Sequence, residues 1–374
     1  MTTTASTSSR AAQILSRPVA INGLTVPNRI VMAPMTRMFS PGGVPDEDVV
    51  AYYSRRAAAG VGLIVTEGTY VGHESAGDND RVPRFHGEEQ LAGWAKVAEG
   101  VHATGGTIMP QLWHVGMVRK AGDPPYPEAP AFGPSGLRID GTEGTGRAMT
   151  QQDLDDVVAA FAESAAAAER IGFDGVELHG AHGYLIDQFL WEGTNRRTDA
   201  YGGAPVARAK FAAEIVAAVR DAVSPSFPVI FRYSQWKLGA YEARIAESVE
   251  ELEAILAPLA AAGVDAFHAS TRRYWLPEFE GSDLNLAGWT KKLTGKPAIT
   301  VGSVGLVGES RWFQGEGAQV GGIDNLLDRL EAEEFDLAAV GRALLTDPEW
   351  AKKVLEGRLD DLNAFDAASL NTLH

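Results

Sequence analysis

Cysteine is absent from all 374 residues. Its absence removes disulfides, thiol nucleophiles, iron–sulfur clusters and cysteine-ligated zinc, and it suits a reducing compartment. Histidine is scarce, at 8 residues. Basic residues are the minority: 33 Lys and Arg against 49 Asp and Glu leave a formal net charge of −16. Such a surface repels phosphate backbones and anionic lipid, which argues against nucleic-acid or membrane-surface partners. No run approaches the roughly 18 apolar residues of a membrane helix. The opening "MTTTASTSSRAAQIL" has no long apolar segment of the signal-peptide kind. The expectation is a soluble, cytoplasmic protein whose residues 1–13 form a flexible tail. A G-x-G-x-x-G after the first strand is also missing, so a dinucleotide-binding Rossmann half lacks its usual support.

What is present is a steady alternation. Apolar residues make up 45% and charged residues 22%, enough for a sizeable core without staples. Eight short apolar runs, "RIVMAP", "GLIVTEG", "TIMPQLWH", "GVELHG", "PVIFRYS", "AFHAST", "PAITVGS" and "LAAVGR", read as strands buried on both faces of a parallel sheet. Helical stretches separate them, among them "DEDVVAYYSRRAAAG", "TQQDLDDVVAAFAESAAAAERIG" and "SVEELEAILAPLAAAG". Thr150 with Asp153, and Ser248 with Glu251, have the spacing of N-terminal caps. Eight strand–helix units in order predict an α/β fold, a (β/α)₈ TIM barrel in one domain over 1–374, with its core at about 14–358. A doubly wound open sheet is the alternative. The Gly- and Pro-rich stretch 118–149 is an inserted loop after the third strand, at the rim where such barrels build their sites.

Barrel chemistry sits at the C-terminal strand ends. Those ends carry Pro34, Met35, Thr36 and Arg37; Glu67 and Gly68; Gln111, Trp113 and His114; and His179 leading to His182 and Tyr184. The later strands end in Arg232; His268, Ser270 and Arg272; Gly302 and Ser303; Gly341 and Arg342. Hydrogen-bonding groups on so many strands imply a large ligand held from many sides. "TVGSVG" and "AVGRALL" follow strands seven and eight, where barrels commonly hold a phosphate on backbone N–H groups. Arg342 adds a fork suited to phosphate oxygens. Tight-turn glycines with a solvated Arg342 are the competing reading; the agreement of both loops favours phosphate.

Together "APMTR", "TEG", "QLWHVG", "HGAHGYLIDQFL", "NRRTDAYGG" and "VGRALLTDP" resemble the Old Yellow Enzyme family, FMN-dependent (β/α)₈ ene-reductases, in order from about residue 14 to 358. The resemblance implies non-covalent FMN, with NADPH or NADH as hydride donor. It further implies reduction of activated C=C bonds in enones, enals and related electron-poor alkenes by ping-pong transfer through flavin N5. His179 and His182 would donate to the substrate carbonyl, and Tyr184 would supply the proton. The pair also admits a structural reading and, more distantly, a metal site, for which no third ligand is obvious. Pro34, Met35 and Thr36 would flank the isoalloxazine, with Gly68 and Gln111 on its pyrimidine edge. Arg232 would sit near N1 and O2, and Gly302, Ser303, Gly341 and Arg342 at the phosphate. Trp113, Tyr274 and Trp275 are candidates for the substrate pocket or for core packing.

Departures from the family pattern cluster at the mouth. Thr36 stands where some members have cysteine, and "APVARAKF" keeps Arg208 but loses the usual Asn. "RYSQWK" and "STRRYWLPEFEG" are not the commonest loops of their strands. Alternative functions are a flavin-dependent amine or dienoyl-thioester oxidoreductase, whose relatives carry iron–sulfur clusters, and a barrel that binds flavin or phosphate without turnover. The partner expected is a small-molecule substrate, and a homo-oligomer is open.

Overall fold

The computed structural model describes residues 2–307 and 315–374. Its centre is a closed barrel of eight strands. In chain order these are β1 (Ile30–Met32), β2 (Leu63–Tyr70), β3 (Ile108–Trp113), β4 (Val176–His182), β5 (Val229–Lys237), β6 (Ala266–Ser270), β7 (Ala298–Val301) and β8 (Leu337–Val340). Each pairs in parallel with its sequence neighbours, and β8 returns to β1. All eight predicted strand runs are therefore barrel strands, and the doubly wound sheet is excluded.

Alternation explains why the runs look uniformly apolar. Every second side chain points inward, and Val31, Leu63, Val65, Met109, Ile230, Ala266, Ile299 and Leu337 fill the interior as one cluster. Intervening residues pack outward against the helices in a larger cluster that includes Ile64, Ile108, Leu178 and Phe267. Each such side chain contributes roughly 1.5–3 kcal/mol on burial. Two short strands before the barrel, Val19–Ile21 and Leu24–Val26, turn at Asn22 and insert Ile21 and Val26 into the interior cluster. They plug the end opposite the βα loops.

The helices begin where the local chemistry predicts. Asp46 accepts from Asp48 and Val49 N–H at the start of Glu47–Ala58. Thr150 and Asp153 form a reciprocal capping box on Gln151–Arg170, and Ser248 caps Val249–Ala262 through Glu251 N–H. Within the segment expected as a flexible tail, the structure has a helix, Thr2–Leu15. Ala11, Ile14 and Leu15 are buried. Arg10 bridges to Asp328 at 2.7 Å and also to Glu331, docking the helix on the barrel's outer ring. Among the described residues no helix is long and apolar enough to cross a membrane.

Candidate active site

At the C-terminal strand ends lies a cavity of about 880 Å³. Its walls include Pro34, Met35, Thr36, Gln111, Trp113, His179, His182, Tyr184, Arg232, Gly302, Ser303, Gly341 and Arg342. Thirteen of the sixteen predicted site residues therefore share one space. Gly68 stands behind it: a Cβ there would lie 2.6 Å from the Trp113 ring and 3.3 Å from Gln111 Oε1. Only glycine lets those two side chains take their places. Tyr274 and Trp275 do not line the cavity. Asn285 Nδ2 holds the Tyr274 carbonyl at 2.7 Å and draws the 3% exposed Tyr274 into the core, with Trp275 packed edge-on beside it. Their place at the mouth is taken by Trp236, Leu238 and Tyr241, with Arg272 stacked 4.2 Å above the Tyr241 ring.

Small residues and bulges shape the cavity. Gly302 has φ 147°, and a Cβ on it would meet the Thr271 carbonyl at 2.7 Å, so the loop after β7 can pass close only as glycine. Between Gly180 and His182 the β4–β5 register shifts, and His182 adopts φ 65°, an unusual backbone for a side chain this large. Its N–H donates to Ser234 Oγ at 2.9 Å and its Nε2 pairs with Ser270 Oγ at 2.8 Å. Trp236 stacks on the imidazole with centroids 4.5 Å apart.

His179 accepts from Ala181 N–H through Nδ1 at 3.3 Å, which leaves Nε2 protonated. The rings of His179 and His182 are perpendicular with centroids 5.2 Å apart, and Tyr184 stands 5.1 Å from His179 and 4.7 Å from Trp113. Burial, reinforced by the charge of Arg232, holds both imidazoles well below their usual range, so both are neutral. Burial also raises the Tyr184 phenol, with Asp78 adding to the effect, so it stays protonated. Neutral donors of this kind suit a carbonyl rather than a cation. Among the described residues no group of three or more His, Cys, Asp or Glu can hold a metal ion.

Charge separates the cavity from the rest of the surface. Among the described residues, five arginines (Arg37, Arg232, Arg272, Arg273 and Arg342) and a single acidic residue, Asp78, line the cavity, in a chain of net charge −16. That arrangement focuses positive potential where an anion would sit. Arg342 Nη2 reaches Ser303 Oγ at 3.2 Å, while its Nη1, like Arg232 Nε and Trp113 Nε1, is buried with no hydrogen-bond partner among the described residues. Buried donors of this kind call for a ligand.

Comparison with known proteins agrees with this geometry. The profile of the NADH:flavin oxidoreductase / NADH oxidase family matches residues 15–361. The chain belongs to that family. It is the Old Yellow Enzyme family whose motifs the sequence carries. A 12-oxophytodienoate reductase 2 from Arabidopsis thaliana is 32% identical over 326 residues, covering 80% of this chain and 85% of the relative. An NADH oxidase from Thermoanaerobacter brockii is 33% identical over 352 residues; these are 91% of this chain but only 50% of the relative, so this chain spans half the length of that protein. Among solved structures, morphinone reductase in complex with tetrahydroNAD superposes with a TM-score of 0.80 at 29% identity, covering 95% of this chain and 93% of that one.

Arg37, Glu67 and His114 stand at strand ends in the sequence, but their roles, and the Lys237–Asp187 pair, are evident only in the structure. Arg37 is buried and donates to the carbonyls of Ser369, Leu370 and Thr372, which brings Leu370 into the cavity wall. Glu67 accepts from Arg37 and Met38 N–H at 2.7 and 3.2 Å and so shapes the loop after β1. Burial pushes its carboxyl up to about 7 against those bonds. Lys237 and Asp187, both fully buried, pair at 3.0 Å beneath the His182–Tyr184 turn. Asp187 Oδ2 accepts from Gly183 N–H at 2.5 Å, fixing the His182–Gly183 peptide in the turn that leads to Tyr184. His114, by contrast, points away from the cavity towards His73, 3.4 Å distant.

Proposed function

We propose that this chain is an FMN-dependent, NAD(P)H-driven reductase of activated C=C bonds. The observation that carries the reading is the wall of the cavity where His179, His182 and Tyr184 converge, all held neutral, beside the cationic Arg232 and in one space with Arg342. The buried, unpartnered donors and the glycine-lined loops fit FMN. Gly302, Ser303, Gly341 and Arg342 would hold its phosphate, Gln111 its pyrimidine edge, and Arg232 the side that gains negative charge. Pro34, Met35 and Thr36 would flank its rings. When bound, FMN supplies the two-electron carrier between nicotinamide and alkene.

The chain's own residues supply the remainder. His179 presents Nε2–H, and His182 adds a second donor, to one carbonyl oxygen of an enone or enal. Their preorganisation stabilises charge that develops on that oxygen without reorganising water. Tyr184 holds a proton on its phenol oxygen for the α-carbon, and its raised affinity for that proton keeps it loaded at neutral pH. Trp113, Trp236 and Tyr241 exclude water around the alkene. Loss of Tyr184 oxygen by Tyr184→Phe tests the assignment: nicotinamide consumption dependent on 2-cyclohexenone should fall steeply while nicotinamide still reduces the protein. Wild-type turnover in that variant would remove Tyr184 from the chemistry.

A further inference from the structure

Four polar side chains from β3, β4, β5 and β6 form a buried cluster at the cavity floor: Gln111 and Arg232 line the cavity, and Glu177 and His268 lie beneath them. Gln111 Nε2 donates to Glu177 Oε1 at 2.8 Å, and His268 Nδ1 donates to Glu177 Oε2 at 2.6 Å. Strand register places Gln111 beside Glu177, and His268 beside Arg232. Glu177 lies two residues before His179 on the same inward face, one layer deeper, and is 0% exposed, as is His268. Burial by itself would neutralise this carboxyl. The charge of Arg232, with the hydrogen bonds donated by His268 and Gln111, outweighs that and keeps it ionised. Burial holds His268 below its usual range. The neutral ring spends its proton on Glu177, so His268 Nε2 is a bare lone pair, buried with no partner among the described residues.

Two things follow for the layer above. One N–H of the Gln111 amide is committed to Glu177, which fixes the orientation of the group and leaves its Oε1 and second N–H to meet the cavity. The positive charge of Arg232 is offset from below, because Glu177 is the carboxylate that acts on it. We propose that Glu177, without touching the cavity, sets the reduction potential of the flavin bound above it, by fixing the orientation of Gln111 and tempering the charge of Arg232. It is a positioning and charge-setting residue. The inference rests on FMN occupying the cavity as proposed above.

The direction is fixed by electrostatics. An anion close to the place where reduction adds negative charge disfavours the reduced form, so removing it favours reduction. Glu177→Gln removes only the charge. The new carbonyl still accepts from Gln111, and the new amide donates to His268 Nδ1 once the ring proton moves to Nε2. The midpoint potential of the FMN-loaded protein, read by equilibration with a reference dye, should rise. A tenfold preference for reduced over oxidised flavin corresponds to about 30 mV for a two-electron couple, and a rise of that order or more is expected. Residues that serve packing alone alter the melting temperature but not the potential. If Glu177→Gln does not fold, the paired replacement Glu177→Met with His268→Leu removes both buried polar partners together and carries the same expectation. An unchanged or lowered potential in FMN-loaded variant protein overturns the role of Glu177 and leaves the flavin assignment standing. Wild-type protein that takes up no FMN overturns both.

Discussion

Breaking the Lys237–Asp187 pair is the sharpest test of how the Tyr184 turn is held. Lys237 Nζ donates to Asp187 Oδ1 at 3.0 Å and to the carbonyls of Gln235 and Ser234 at 2.6 and 3.3 Å. Burial raises the Asp187 carboxyl and Lys237 pulls it back, so that it titrates at about 6. Lys237→Met strands that carboxyl, and removing one partner of a buried pair costs about 3–5 kcal/mol. The pH dependence follows from where the carboxyl takes up its proton. Its folded pKa lies above the unfolded value, so its contribution to stability is complete below the unfolded pKa and lost as pH rises through the folded one. In the wild type that loss ends near pH 6. In the variant the carboxyl stays protonated to higher pH, so the loss continues. The stability difference should be smallest at pH 6 and grow by about 1.4 kcal/mol per pH unit above it. Denaturant unfolding of wild type, Lys237→Met, Asp187→Asn and the double variant at pH 6, 7 and 8 measures it. The double variant should be less unstable than the sum of the singles. A pH-independent loss under about 1 kcal/mol would refute the buried ion pair.

Other predictions address the cavity directly. Gly302→Ala places a Cβ against the Thr271 carbonyl and should lower the flavin-to-protein ratio after purification in excess FMN; a full complement would contradict the phosphate-loop assignment. Tyr184→Phe should slow enone reduction by roughly 10²-fold or more, with reduction by nicotinamide near the wild-type rate in stopped flow. His179→Ala with His182→Ala should weaken binding of a phenol at least tenfold, about 1.4 kcal/mol or more, read as the loss of its charge-transfer absorbance with the flavin. Glu67→Gln removes a carboxyl raised from 4.5 to about 7. The variant should gain on the wild type as pH climbs through that window, by up to about 3 kcal/mol, in unfolding titrations at pH 5 and 8.

Local patterns carried most of the fold. The eight apolar runs are the barrel strands, and Thr150, Asp153 and Ser248 cap the helices their spacing predicts. The strand-end rule then collected His179, His182, Tyr184, Arg232 and Arg342 into one cavity without any tertiary information. What escaped was set by distant contacts. The N-terminal segment is polar, and its helix becomes visible only through Asp328 and Glu331, more than 300 residues away. The choice between Tyr274–Trp275 and Trp236–Tyr241 at the mouth turns on loop paths, such as the bond from Asn285 to the Tyr274 carbonyl. Lys237 and Asp187 lie 50 residues apart and nothing local pairs them. Glu177 did leave a signal: a carboxylate in an otherwise apolar strand, two residues before His179, lies on the same inward face.

The visible absorption spectrum of the purified protein, recorded anaerobically before and after NADPH or NADH and again after 2-cyclohexenone, tests the central claim most directly. A flavin spectrum that bleaches with nicotinamide and returns with the enone is the predicted result. A colourless protein that takes up no added FMN would contradict it, and would leave His179, His182 and Tyr184 as a structural cluster.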